Sequence, residues 1–358
     1  MQSYIIAGIQ QIGVGCTDFR RTWKWYIEMF HTDVRILEDD TVAERMLPYT
    51  GGKAQRRHAC IAVNLQGGGG LEIWQYSERK PQPIDFQVQV GDLGIFAAKV
   101  KSQNPALFRQ QLLEKYDCVG PLMNMPDGSP TFFVKDPWGN YLQVVRDEHV
   151  FIRQRGFLNG GIVGAMMGCT DAERTMALYR DLLGYDTVVY DRTGTFDDLA
   201  FLSGGQGRFR RVLLSHSAPR EGAFAPLYGA STIELVQALD RMPKKIYEGR
   251  FWGDPGFIQI CFDVTDMRAL ERKSAELGYP FTVDSCKDNG HFDMGEASGH
   301  FTYIEDPDGT LIEFVEAHNL TIMKRPHITI DMLKRDRKKP FPKIFFRLMG
   351  LSKVNNEL

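Results

Sequence analysis

Six cysteines are spread through 358 residues (Cys16, Cys60, Cys118, Cys169, Cys261 and Cys286), and no two form a C-x-x-C pair. That spacing argues against zinc-finger and thioredoxin-type sites. At this length a disulfide framework is not expected either; buried, reduced thiols in apolar strand-like runs are. Charge of one sign is also lacking. The 43 Lys and Arg against 45 Asp and Glu leave a net charge of −2, so the body has no electrostatic footprint for nucleic acid. No stretch approaches the ~20 apolar residues of a membrane span. The first residues, MQSYIIAGIQQIGV, lack the basic and long apolar regions of a secretory signal, and cytoplasmic residence is expected. Nucleophile-elbow, P-loop and dinucleotide fingerprints are missing too. The glycine run 67–70 precedes no Lys-Ser/Thr helix start and reads as a turn between strands.

What the chain has, it has twice. Residues 16–26, CTDFRRTWKWY, return as CTDAERTMALY at 169–179, and FVKDPWGNYLQVV at 133–145 returns as YIEDPDGTLIEFV at 303–315. Such repeats predict a duplicated architecture, in a chain too long for one ordinary core. Each half divides again into two units of strand, helix and further strands. In the first, a strand over 9–16 leads through Thr17 or Asp18, either able to cap, into a helix with Trp23, Tyr26, Ile27 and Phe30 on one face. Strands follow near 58–65 and 71–76. The second unit opens with a strand at 95–100, starts its helix at Asn104-Pro105, and turns at Asp136-Pro137-Trp138-Gly139. The second half opens units at 163–169 and 257–264. Its helices fall near 171–183 and 266–277, and its strands near 210–216, 231–237, 301–305 and 310–315.

Residues 319–358 differ. Ten Lys and Arg lie between 324 and 353 against two Asp, with Ile344, Phe345, Phe346, Leu348, Met349 and Leu351 interleaved. An arm packed across its own domains or a dimer mate is expected, with a membrane-surface or partner-binding segment as the alternative. The expected domains are 1–150, 151–318 and this basic amphipathic arm, 319–358.

Four strand–helix–strand–strand–strand units, each half with its Cys-Thr-Asp opener, Leu71-Glu72-Ile73 or Ile233-Glu234-Leu235, and an Asp-Pro-x-Gly turn, resemble the vicinal oxygen chelate superfamily over residues 5 to about 317. Glyoxalase I, methylmalonyl-CoA epimerase, fosfomycin resistance proteins and extradiol ring-cleaving dioxygenases belong to it. The resemblance implies an α+β fold of four βαβββ modules paired into two half-barrel domains, one per half of the chain. It also implies four inward strand positions per domain that hold a divalent metal. These are Gln11, Glu72, Gly94 and Gln143 in the first domain, and Gly164, Glu234, Gln259 and Glu313 in the second.

No histidine occupies any of the eight. A non-haem Fe(II) site needs two histidines and a carboxylate, so an Fe(II) extradiol dioxygenase is disfavoured. The first domain offers one carboxylate, Glu72, and is expected to be metal-free, with His58, Trp74 and Tyr76 shaping a pocket. The second offers an all-oxygen set, Glu234, Gln259 and Glu313. Such a set suits Mg(II), Mn(II) or Ca(II) rather than Fe(II) or Zn(II). The alternative is that these carboxyls pair with Arg or Lys, or stay protonated, and hold no metal. Tyr303 stands where the resemblance places a tyrosine beside the metal; its first-half counterpart is Phe133. His291 and His300 lie nearby without the expected spacing. The expected catalytic residues are therefore Glu313, Glu234 and Tyr303, and the expected metal ligands Glu234, Gln259 and Glu313. They would act on a small oxygen-bearing organic molecule by isomerase, epimerase or lyase-type enolate chemistry. A metal-free small-ligand-binding or sequestering protein is the alternative. Expected partners are a small-molecule ligand or substrate and a second copy in a homodimer, not nucleic acid.

Overall fold

Each long helix starts where a short Asx side chain satisfies free backbone N–H groups. Asp18 accepts from Arg21, Asn104 from Leu107, Asp171 from Glu173 and Arg174, and Asp266 from Ala269. The computed structural model describes residues 4–287, 292–293, 297–323 and 328–354. The first module comprises β1 (Ile5–Gly15), α1 (Phe19–Phe30), β2 (Val34–Ala43), β3 (Gln55–Val63) and β4 (Gly70–Tyr76). The second comprises β5 (Gly94–Ser102), α2 (Pro105–Leu113), β6 (Met123–Asn124), β7 (Pro130–Lys135) and β8 (Tyr141–Arg146). The third has β9 (Asn159–Gly168), α3 (Ala172–Leu183), β10 (Thr187–Gly194), β11 (Phe209–Ser215), a single turn α4 (Ala225–Tyr228) and β12 (Thr232–Ala238). The fourth has β13 (Gly256–Thr265), α5 (Met267–Glu276), β14 (Val283–Asp284), β15 (Phe292–Asp293), β16 (Ala297–Glu305) and β17 (Leu311–Met323). The arm adds β18 (Ile328–Asp331) and α6 (Lys343–Met349).

The modules form two curled mixed sheets, but the partners are exchanged. One sheet runs β14-β16-β17-β13-β1-β4-β3-β2, with β15 against β16 and β18 against β17; the other runs β10-β11-β12-β9-β5-β8-β7-β6. The first module thus pairs with the fourth, through antiparallel β1 and β13 from Ile5↔Thr265 to Gly15↔Gly256. The second pairs with the third, through β5 and β9 from Gly94↔Gly168 to Ser102↔Asn159. The expected closure of each half on itself is replaced by a sheet drawn from both halves. Consecutive modules stay tied by side chains instead: Tyr26 donates to Asp136 (3.0 Å), and Thr170 donates its hydroxyl (2.5 Å) and N–H (3.0 Å) to Asp308.

Backbone must approach backbone where the sheets meet, and glycine permits it. A Cβ on Gly161 would lie 2.2 Å from the Gly69 carbonyl oxygen. In its absence Gly69 N–H reaches Ile162 O (2.7 Å) and Ile162 N–H reaches Gly69 O (2.8 Å). The glycine run 67–70, expected to be only a turn, is therefore also a crossing point between the two sheets. The helices' apolar faces, among them Trp23, Phe30, Phe108, Tyr179 and Leu270, share one core with strand residues of both sheets.

The arm is docked. Phe341 donates its N–H to Ala223 O (2.9 Å), Phe346 is fully buried against Phe151 and Phe224, and Lys353 pairs with Asp33 (2.8 Å). Phe346→Ala is expected to lower the free energy of unfolding by about 3–5 kcal/mol, since a buried phenyl leaves a cavity. Urea titration of the full chain measures it, and a loss within error would mean the arm is not part of the cooperative core.

Candidate functional site

Module exchange decides which polar side chains meet. In a strand, alternate residues share a face. Glu72, Trp74 and Tyr76 of β4 therefore face the cup that β13 and β17 supply with Gln259, Cys261 and Glu313. The Gln259 amide bridges two carboxylates, donating to Glu72 (2.8 Å) and, at longer range, to Glu313 (3.4 Å). Tyr303, paired across the ladder with Glu313, hydrogen-bonds it. Gln11 hydrogen-bonds Glu72 from β1. Gly13 makes the room: a Cβ there would sit 2.6 Å from the Gln259 side-chain oxygen.

The electrostatics of this cup are uncompensated. Burial, partly offset by Arg57, raises the Glu72 carboxyl well above the carboxylate range. Burial and then the charge on Glu72 raise Glu313. Arg57 is itself committed to Asp39 (2.7 Å). Among the described residues the side-chain carbonyl oxygens of Gln11 and Gln259 have no partner. One wall is aromatic, built from Trp74, Tyr76, Trp252 and Tyr303, and the indole N–H groups of both tryptophans are buried with no acceptor among the described residues. Trp252 arrives on the segment leading to β13. That segment is held by its N–H on Tyr49 O (3.0 Å) and by Asp254, buried and paired with Arg79 (2.6 Å).

The other cup is closed by its own charges. Lys99 donates to Glu234 (2.6 Å) and to the Gln143 amide oxygen. Arg211 donates to Glu234 (2.7 Å) and Asp198 (2.7 Å), and Tyr190 donates to Glu234 (2.7 Å). Two cations and two anions balance with almost no exposure. Burial alone would raise the Glu234 carboxyl, but Arg211 and Lys99 outweigh it and hold it at about 2. Burial pulls the Lys99 ammonium down, opposed by Glu234; the short contacts on both sides keep the pair ionic.

Several expectations change accordingly. Glu234 does not join Gln259 and Glu313. It lies in the other sheet, because the third module pairs with the second. Glu72, expected alone in a metal-free cup, shares one with Glu313. Gly94 supplies no inward position; its strand presents Lys99, whose stem lies over Gly164, where a Cβ would stand 3.1 Å from Cδ. Phe133, opposite Gln143 as Tyr303 is opposite Glu313, falls in an apolar cluster. His58 faces α1, stacked on Phe19, rather than the cup. His300 pairs with Asp284 (2.6 Å). His291 and residues 294–296 lie outside the described residues. Lys99, Arg211, Asp198 and Tyr190 were not singled out from the sequence. The available signal was a cation within an otherwise apolar strand run, Lys99 in IFAAKVK and Arg211 in FRRVLL, which calls for an anion where it is buried.

Among the described residues no group of three or more His, Cys, Asp or Glu is placed to hold a metal ion, and no helix is long and apolar enough to cross a membrane. Residues 161–314 match the family model Glyoxalase/Bleomycin resistance protein/Dioxygenase superfamily. The fold is similar to that of a glyoxalase I mutant from Zea mays: 14% identity, 86% of this chain and 92% of that chain covered, TM-score 0.53. It is likewise similar to a putative dioxygenase from Bacillus subtilis: 15% identity, 87% and 86% covered, TM-score 0.54. At these identities the likeness is one of fold. No curated protein matches the sequence.

Proposed function

Through residues 161–314 and the architecture of its two sheets the chain belongs to the glyoxalase/bleomycin resistance protein/dioxygenase superfamily, and we propose that its one chemically active centre is the cup of Gln11, Glu72, Gln259 and Glu313. The reaction class is proton transfer next to a carbonyl, as in isomerases, epimerases and glyoxalase-like lyases, on a small oxygen-bearing molecule. A single observation carries this reading: the buried Glu313 and partly buried Glu72 carboxyls are bridged by one amide, while two amide oxygens beside them lack any donor among the described residues.

The residues fit a hard divalent cation. All four donors are oxygens, and the orphaned Gln11 and Gln259 oxygens are what a cation would satisfy. Mg(II), Mn(II) or Ca(II) suits the set, whereas a two-histidine Fe(II) site has no counterpart here. Bound there, the ion would supply Lewis-acid polarisation of a substrate oxygen. The rest falls to the protein. Glu313 and Glu72, raised by burial, are matched to moving a proton near neutral pH. Tyr303 orients Glu313 through its hydroxyl. Trp74 and Trp252 exclude water and offer unpaired N–H donors to a substrate oxygen.

Metal titration tests the reading. Mn(II) at about 100 times its Kd should raise the unfolding free energy by about 2.7 kcal/mol. Calorimetry in buffers of different ionisation enthalpy should show proton release, because the ion displaces the proton held by the carboxyl pair. Glu72→Gln should abolish both effects. Mn(II) binding that is unchanged in Glu72→Gln, or lost in Glu234→Gln, would place the centre elsewhere.

A further inference from the structure

A helix packed on a protein body ordinarily turns its polar side outward. α6 does not. Phe346 is fully buried and Phe345 and Met349 are half-buried, yet the outward stripe is also apolar: Ile344 is 59% exposed, Leu348 50% and Leu351 83%. These three stand at i, i+4 and i+7, one line along the helix and its terminal turn. Lys343 and Arg347, each one residue before a stripe residue, are exposed, as is Lys339 just upstream; the Lys343 ammonium lies 5.3 Å from the Phe151 ring centroid, and none of the three has an ion pair among the described residues. An apolar line beside uncompensated cations matches the boundary between acyl chains and anionic headgroups. Three side chains fall far short of the about 800 Å² per partner that a stable protein interface buries, which argues against a second copy as the occupant.

We propose that α6 docks this protein peripherally on an anionic lipid surface, with Ile344, Leu348 and Leu351 inserted at the headgroup boundary and Lys339, Lys343 and Arg347 on the headgroups. The body, with the cup, would then work at a membrane surface without spanning it.

Co-sedimentation of the full chain with vesicles tests this. Vesicles of phosphatidylcholine with phosphatidylglycerol should retain the protein, and raising the salt should release it. Phosphatidylcholine alone should bind it about tenfold or more weakly. Because the stripe is exposed, the triple variant Ile344→Ser, Leu348→Ser, Leu351→Ser should keep the wild-type thermal midpoint and lose vesicle binding. Lys343→Ser with Arg347→Ser should weaken binding by roughly tenfold. No binding at low salt, or undiminished binding of the triple variant, would overturn the proposal. So would a shift from dimer to monomer in the triple variant by sedimentation velocity without vesicles, which would assign the stripe to a second copy.

Discussion

Glu234→Ala is expected to destabilise the protein by about 3–5 kcal/mol, the cost of leaving a buried ion pair half made. Lys99 and Arg211 would be left in a fully buried cup with Asp198 as the one remaining anion, and Tyr190 would lose its acceptor. The double change Glu234→Leu with Lys99→Met should cost less than the sum of the single changes, because it removes one cation with one anion. Urea unfolding of the four proteins gives the coupling. The same logic sets an acid limit. Glu234 is held at about 2 against an ordinary value of 4.5, so its contribution is complete above that ordinary value and is lost as pH falls from 4.5 towards 2. Mn(II) binding by Glu234→Ala that still folds at low temperature should match wild type. Preserved stability with lost metal binding would restore Glu234 to the role that the sequence suggests.

Local geometry is written in the sequence pattern; the pairing of modules is not. Strand parity was legible, putting Glu72, Trp74 and Tyr76 on one face, and the family resemblance implied Gln259 and Glu313 as inward positions with Tyr303 beside them. Helix starts were legible as well, because Asp18, one of two candidate caps, and Asn104 act within three residues of chain. The pairing of modules was not. The four opening strands are all apolar, and any two can zip together antiparallel at their edges, so hydrophobic pattern does not choose among partners. What distinguishes the native pairing is long-range packing: Gly13 leaving room for Gln259 across 246 positions of sequence, and Gly69 crossing Gly161. Because the exchange was hidden, two correct local readings, Glu72 inward and Glu313 inward, did not combine into one site. Glu234 was grouped with residues it never approaches.

Glu313→Gln should stabilise the metal-free protein and disable it. A carboxyl raised in the folded state holds a proton that the unfolded chain has already lost. Stability therefore declines as pH rises from the ordinary carboxylate range until the raised value is passed. Glu72 adds to the same slope, less strongly because it keeps partial exposure. Wild type without metal should thus unfold at a lower temperature at pH 8 than at pH 5 for this pair's part. Glu313→Gln should flatten that slope and raise the stability measured at pH 8, because the amide removes the cost of a carboxyl pushed from 4.5 up to about 8. The amide keeps the volume, can still accept from Tyr303, and removes the repulsion with Glu72. It cannot move a proton and binds a cation weakly, so turnover should fall by about 10²–10⁴, and Mn(II) should no longer raise the thermal midpoint. Gain of stability with loss of metal response is specific to a charge held at a cost for chemistry. A structural carboxylate serving a buried base gives the reverse, a large loss of stability with metal binding intact, and that result would remove Glu313 from the centre.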